Sequence, residues 1–305
     1  MSEVDVKKIS TEARNQNTMD IDLLSTTEIL TKINAEDKTV AYAVEEAIPQ
    51  ITKVVDKVVT QIENGGRLIY IGAGTSGRLG VLDAVECPPT YGVSPDVVMG
   101  IMAGGMKATT FAVEGAEDRK DFAIEDLKNV NLSSKDVVIG IAASGRTPYV
   151  IGGIEYAKAV GATTSCITTS KNSVLASMVD YPIEAVTGAE VINGSTRMKS
   201  GTAQKLICNM ISTATFIKLG KVYGNMMIDL QATNEKLVAR QLGIISEITG
   251  YDAEVAKEKL SEYKTVKKVL INYFTGCDNQ TIIDETLEKV KGNIRKAIKL
   301  IGESK

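Results

Sequence analysis

The strongest constraint on the fold is a series of short, nearly uninterrupted apolar runs, most of them closed by glycine-bearing or hydroxyl-rich turns. Leu68–Ile71, Val97–Met102, Val137–Ala142, Thr163–Thr168 and Tyr181–Val186 are rich in β-branched residues and near-continuously apolar, with hydroxyls in the fourth and one glutamate in the fifth. Alternation would mark strands with one wet face; unbroken apolarity marks strands covered by helices on both faces. Helical sequence separates them, over 78–86, 107–128 and from Pro148 to about Val160. The expected fold class is therefore α/β, a doubly wound parallel sheet of about five strands. Pro88-Pro89 is expected to stop the helix that follows the first strand.

Upstream, residues 1–37 are polar and read as partly irregular. Val40, Val44, Ile48, Ile51, Val55, Val58 and Ile62 recur at helical spacing over 39–64, and Gly65-Gly66 ends that pattern. A long helix is expected over 196–219. Beyond about Thr233, four charged amphipathic helices are expected, over 235–249, 253–263, 266–274 and 281–300. This divides the chain into an N-terminal helical segment (1–50), the α/β domain (51–232) and a small all-helical C-terminal domain (233–305). Gly224-Asn-Met-Met-Ile228 reads as core packing.

The chain of 305 residues contains no histidine. Ser-His-Asp and Cys-His pairs, imidazole bases and His-bearing zinc sites are therefore excluded, and proton transfer falls to Asp, Glu, Lys, Tyr or Cys. With 35 basic against 38 acidic residues and no polybasic block, nucleic acid and an anionic membrane are not expected partners. Cys87, Cys166, Cys208 and Cys277 are scattered and read as reduced core thiols of a cytoplasmic protein. Residues 1–17 lack the apolar core of a signal peptide, and no run of 18 apolar residues occurs.

Gly72-Ala-Gly-Thr-Ser-Gly77 matches G-x-G-x-x-G between a strand and a helix. A dinucleotide site also needs an acidic residue after the second strand, where Ala103-Gly104-Gly105 stands. A P-loop needs Lys-Ser/Thr where Arg78-Leu79 stands. Two readings remain: a small-phosphate site built on Gly74, Thr75, Ser76 and the helix N-terminus, or a tight turn with an ordinary cap. The third strand leads into a second such loop, with Ser144, Gly145, Arg146 and Thr147. Two hydroxyl-rich loops at the carboxyl edge of one sheet suit a phosphomonoester on a small molecule. In the third segment, Ser195–Thr202, hydroxyls and bases including Lys199 either contact a phosphate or carboxylate, or cap a helix at a dimer seam.

These loops resemble the SIS domain, a phosphosugar-binding module. More closely, Ile71-Gly-Ala-Gly-Thr-Ser-Gly-Arg-Leu-Gly80, Glu86-Cys-Pro-Pro-Thr-Tyr-Gly92, Val113-Glu-Gly-Ala-Glu-Asp118, Ala142-Ala-Ser-Gly-Arg-Thr-Pro-Tyr149 and Thr196-Arg-Met-Lys-Ser-Gly-Thr-Ala-Gln-Lys205 resemble the N-acetylmuramic acid 6-phosphate etherases, from about Ser10 to the end. That resemblance implies removal of D-lactate from the C3 ether of the phosphosugar, leaving N-acetylglucosamine 6-phosphate. It also implies a cytoplasmic homodimer with no metal or cofactor. It makes Glu86 and Glu117 the two catalytic glutamates. Where family members often carry a serine after the second glutamate segment, Arg119 stands here.

The chemistry agrees with that assignment. An open-chain aldehyde acidifies the C2 hydrogen, a base removes it, the C3 lactate leaves with help from an acid, and water adds back at C3. Two carboxyls of opposite protonation suffice. Glu86 is expected at the C-terminal end of its helix, where the dipole raises its pKa by less than one unit. Burial must supply the rest. For Glu117, the neighbours Glu114 and Asp118 act in the same direction if close in space. Read from the residues alone, Glu86 is equally a helix-end surface carboxylate and Glu117 part of a solvated acidic run. The division of acid and base between them is open. A non-catalytic sensor, like the glucokinase regulatory proteins, and an aldose–ketose isomerase are the competing functions. The helical tail resembles a ubiquitin-associated-like bundle, which assigns it no function.

Overall fold

A computed structural model of the chain describes residues 13–230 and 235–303. The chain divides into two compact units, one of Met1–Val85 with Pro95–Ser212, the other of Glu86–Ser94 with Thr213–Lys305.

In the first unit, helix α1 (Thr26–Glu46) begins inside the stretch expected to be irregular. Its start is a capping box, with the Ser25 amide donating to the Glu28 carboxylate at 2.9 Å. The single helix expected over 39–64 is two, because Pro49 in the first turn of α2 (Ile48–Glu63) has no amide to continue α1. Ile51, Val54, Val55 and Val58 form the buried stripe of α2.

The sheet follows: β1 (Leu68–Gly72), α3 (Gly74–Tyr91), β2 (Val98–Met102), α4 (Lys107–Thr110), α5 (Lys120–Asn129), β3 (Val137–Ile141), α6 (Pro148–Val160), β4 (Thr163–Thr168), α7 (Val174–Met178), β5 (Tyr181–Glu184) and α8 (Lys199–Lys218). Its strands are all parallel, in the order β2-β1-β3-β4-β5. Every residue of β1 and β3 is buried, which is why neither strand alternates. Ile69, Ile71 and Val138 pack with Ala123 and Leu127 of α5 and Val150 and Ile154 of α6. At the amino ends of β1 and β3, Arg67 grips Asp136 with Nε at 3.1 Å and Nη2 at 2.8 Å.

Two differences from the expected helices bear on function. The sequence over 107–128 is interrupted: Gly115, at φ +74°, is followed by a 3-10 turn over Ala116–Asp118 before α5 begins. And α3 does not stop at Pro88-Pro89, which lie inside it. Proline removes a donor but leaves its carbonyl, and the Gly92 amide bonds to Pro88 O at 2.9 Å. Tyr91 stacks on Phe216 with ring centroids 4.5 Å apart, holding the last turn.

The second unit contains a two-residue hairpin, β6 (Val222–Tyr223) with β7 (Met226–Met227), and α9 (Glu235–Thr249), α10 (Ala253–Tyr263), α11 (Val266–Thr275), α12 (Gln280–Lys289) and α13 (Ile294–Glu303). The helix expected over 281–300 is split, because Lys291 and Gly292 take φ of +53° and +77°. Met226 and Met227 pack against the core of this unit, which is centred on Ile245, Val269, Leu270, Ile283 and Ala297. Lys267 is buried there. Burial pulls its pKa down against the opposing pull of Asp229, which its Nζ reaches at 2.6 Å.

Candidate active site

The strand order fixes where a ligand can bind. From β1 the chain passes to β2 on one side, then crosses to β3 on the other, so the crevice between the carboxyl ends of β1 and β3 is the topological switch point. The two loops singled out from the sequence follow these two strands.

The β1 loop is shaped by close approach. A Cβ at Gly77 would lie 2.7 Å from Gly72 O and from Met102 Cβ, so only glycine lets α3 begin this near β1 and β2. Gly74 is exposed, and Thr75 and Ser76 are half-buried. In the β3 loop, Gly145 is buried at φ +63°, and a Cβ there would meet Ser173 Cβ at 2.5 Å. Thr147 is the N-cap of α6 by position, with no side-chain cap bond. Arg146 is exposed and Ser144 half-buried. The hydroxyls of Thr75, Ser144 and Thr147 have no hydrogen-bond partner among the described residues.

Ser76 donates to Oε1 of Gln204 at 2.9 Å. Gln204, on α8, is fully buried, and its Nε2 has no partner among the described residues. A buried donor of this kind costs about 1–3 kcal/mol when unsatisfied. Through Oε1, Gln204 anchors the β1 loop at Ser76. Sequence reasoning missed Gln204; the available signal was a polar residue on the apolar face formed by Ala203, Ile207 and Ile211.

Glu117, on its 3-10 turn, lines a cavity of about 210 Å³ with Gly74, Arg78, Ala103, Val113 and Glu114. The structure thus brings Glu117 and the β1 loop together. Arg78, read in the sequence only as a mismatch to the P-loop lysine, was also missed. Its Nε donates to Thr109 O at 3.0 Å.

Glu86 belongs to the other compact unit. It is exposed, and because α3 runs on to Tyr91 it does not occupy the last turn. The helix-end position and the burial expected of Glu86 are therefore both absent from the chain's own packing. Glu117 is exposed as well.

Lys199 is engaged within its own unit. It is buried, and its Nζ pairs with Glu36 at 2.7 Å and donates to Ala189 O at 3.2 Å. The start of α8 is capped from within the unit: Glu190, fully buried, accepts from the amides of Lys199 and Ser200, each at 2.9 Å. That anion occupies the helix terminus that a phosphate would use.

This architecture, with hydroxyl loops flanking the switch point of a five-stranded parallel sheet, is that of the SIS-domain proteins. Residues 50–158 match the glucokinase regulatory protein N-terminal SIS domain, and residues 110–214 match the SIS domain. The N-acetylmuramic acid 6-phosphate etherase of Bacillus cereus (strain AH187) is 53% identical over 294 residues, 96% of this chain and 100% of that protein. The protein of that name from Clostridium beijerinckii is 52% identical over 301 residues, 99% of each. Among solved structures, a phosphoheptose isomerase from Francisella tularensis is 18% identical, with a TM-score of 0.46, over 62% of this chain and 98% of its own. The chain belongs to the N-acetylmuramic acid 6-phosphate etherase family of carbon–oxygen lyases. Among the described residues, no helix is long and apolar enough to cross a membrane.

Proposed function

We propose that the chain cleaves the D-lactyl ether at C3 of N-acetylmuramic acid 6-phosphate, with water, giving N-acetylglucosamine 6-phosphate and D-lactate. The observation that carries this reading is the placement of Glu117 in one cavity with Gly74 of the β1 loop, in a chain 53% identical to a curated etherase along its length.

The 6-phosphate sits in the crevice between the β1 and β3 loops. It takes the hydroxyls of Thr75, Ser144 and Thr147, with Gly74, Ser76, Gly145 and Arg146 completing the cradle. With the ring open, the C1 aldehyde acidifies C2–H. Glu117 removes that proton, and the electron pair forms the C2–C3 double bond as the C3–O bond breaks. Glu86 protonates the departing lactyl oxygen. Glu86 then takes a proton from water as it adds to C3 of the unsaturated aldehyde, and Glu117, its proton exchanged with solvent, reprotonates C2. Each carboxyl ends the cycle as it began. Neither is buried by the chain alone. The family resemblance supports a cytoplasmic homodimer working in catabolism or recycling of peptidoglycan sugars.

The experiment is incubation with N-acetylmuramic acid 6-phosphate and an assay for D-lactate. In heavy water the product gains deuterium at C2. In 18O-labelled water the label enters at C3, while the lactate keeps the ether oxygen. Product formed without exchange at C2 rules out elimination and addition.

A further inference from the structure

The cavity that holds Glu117 has acidic and apolar walls with one cation among its described lining residues. Glu114 and Glu117 supply the carboxylates, Ala108, Ala112 and Val113 an apolar wall, and Arg78 the guanidinium. Arg78 projects from α3 and is half-buried. Its Nε–H is held by Thr109 O at 3.0 Å, which fixes the plane of the group. Its two Nη nitrogens have no hydrogen-bond or ion-pair partner among the described residues. A guanidinium oriented in this way presents a ready-made fork for a planar anion.

We propose that Arg78 determines specificity by binding the carboxylate of the substrate's lactyl arm. This rests on the etherase reading above. Two observations favour the carboxylate over the phosphate. The cavity lies on the β2 side of β1, lined by Met102 and Ala103 from the end of β2, whereas the hydroxyl loops flank the crevice between β1 and β3. And Glu117, which acts at C2, lines the same cavity, so the substituent on the adjacent C3 falls there while the phosphate on C6 lies at the other end of the sugar. The lactyl methyl meets the alanine and valine wall. Without a cation, an anionic arm beside Glu114 and Glu117 is repelled.

The test compares two phosphosugars that differ only in the arm. Arg78→Met raises KM for N-acetylmuramic acid 6-phosphate by about 10–100-fold. The dissociation constant of N-acetylglucosamine 6-phosphate, measured by calorimetry, stays within about twofold, which also reports a folded protein. Arg78→Lys, which keeps the charge and loses the fork, falls between. In the parent protein, a 3-O-methyl ether of N-acetylglucosamine 6-phosphate, with no carboxylate, binds more weakly than the lactyl ether, and Arg78→Met abolishes that difference. Equal weakening of both sugars assigns Arg78 to the phosphate and overturns the proposal, as does equal binding of the methyl and lactyl ethers by the parent. A parent protein that binds both sugars but releases no lactate defeats the etherase reading instead. The two dissociation constants then still decide the role of Arg78.

Discussion

The hydroxyl of Ser76 donates to Oε1 of Gln204 at 2.9 Å, and the Nε2 of that same buried amide meets no partner among the described residues. The β1 loop and α8 are thus joined by a bond that leaves one donor of the amide unused. Gln204→Leu removes both the orphan donor and the acceptor for Ser76, so stability changes by less than about 1 kcal/mol. Affinity for N-acetylglucosamine 6-phosphate falls roughly fivefold. Calorimetry and a thermal melt on one sample check the pair; a large drop in Tm with unchanged affinity would show a purely structural amide.

The Lys199–Glu36 ion pair predicts a stability phenotype for a residue that the sequence placed at the substrate. Lys199→Met leaves a buried carboxylate unpaired and destabilises the fold by about 3 kcal/mol. The double variant with Glu36→Gln recovers most of that loss. Below the melting transition, Lys199→Met binds N-acetylglucosamine 6-phosphate within about twofold of the parent. A tenfold loss of affinity with an unchanged Tm would return Lys199 to the phosphate.

Acid sensitivity follows from two carboxyls. Burial alone would raise Asp136, but Arg67 and the Ser133 amide outweigh it and hold the carboxyl below its ordinary range. Burial also opposes ionisation of Glu36, and Lys199, Asn17 and Asn15 together outweigh it in the same way. A carboxyl whose folded pKa is depressed contributes stability above its unfolded pKa and loses it as pH falls through the folded one. Stability therefore holds down to about pH 4 and erodes below it. Asp136→Asn lowers stability at pH 7 by about 2–3 kcal/mol and flattens the slope below pH 4. Denaturant titrations from pH 3 to pH 7 check both; an unchanged slope in the variant refutes the assignment.

The glycines of the β1 loop differ in what they tolerate. At Gly77 an added methyl meets backbone at 2.7 Å, whereas at Gly74 it enters open space and the cost is only that of φ +54°. Gly74→Ala is expected to cost about 1 kcal/mol. Gly77→Ala costs at least twice that and weakens binding of N-acetylglucosamine 6-phosphate, because the loop must shift. Thermal melts with and without that sugar separate the two; equal costs would mean that α3 is free to move away from β1.

Glu117→Gln slows lactate release by about 10²–10⁴-fold with little change in Tm, since Glu117 is exposed. Release at the parent rate would remove Glu117 from the reaction. The same substitution at Glu86 tests the second carboxyl independently.

The sheet was legible in the sequence because burying both faces of β1 and β3 demands apolar residues at every position. The two loops were legible because only certain residues turn tightly from strand into helix. The start of α1 was missed in a polar stretch, although a capping box, Ser25 with Glu28, signals it. Pro88 and Pro89 misled because proline usually ends helices, and here the stack of Tyr91 on Phe216 and the Gly92 amide carry the helix past them.

Local rules, then, set the strands, the turns and the types of group available for proton transfer, since the absence of histidine is a property of composition alone. Pairing across long sequence separations decided the rest. Nothing near Lys199 in the chain announces Glu36, 163 positions away, nor does anything near Ser76 announce Gln204, 128 positions away. Ion pairs and buried hydrogen bonds depend on distance in space. Only the folded chain determines which charges are occupied by each other and which, like the Arg78 guanidinium, remain open to a ligand.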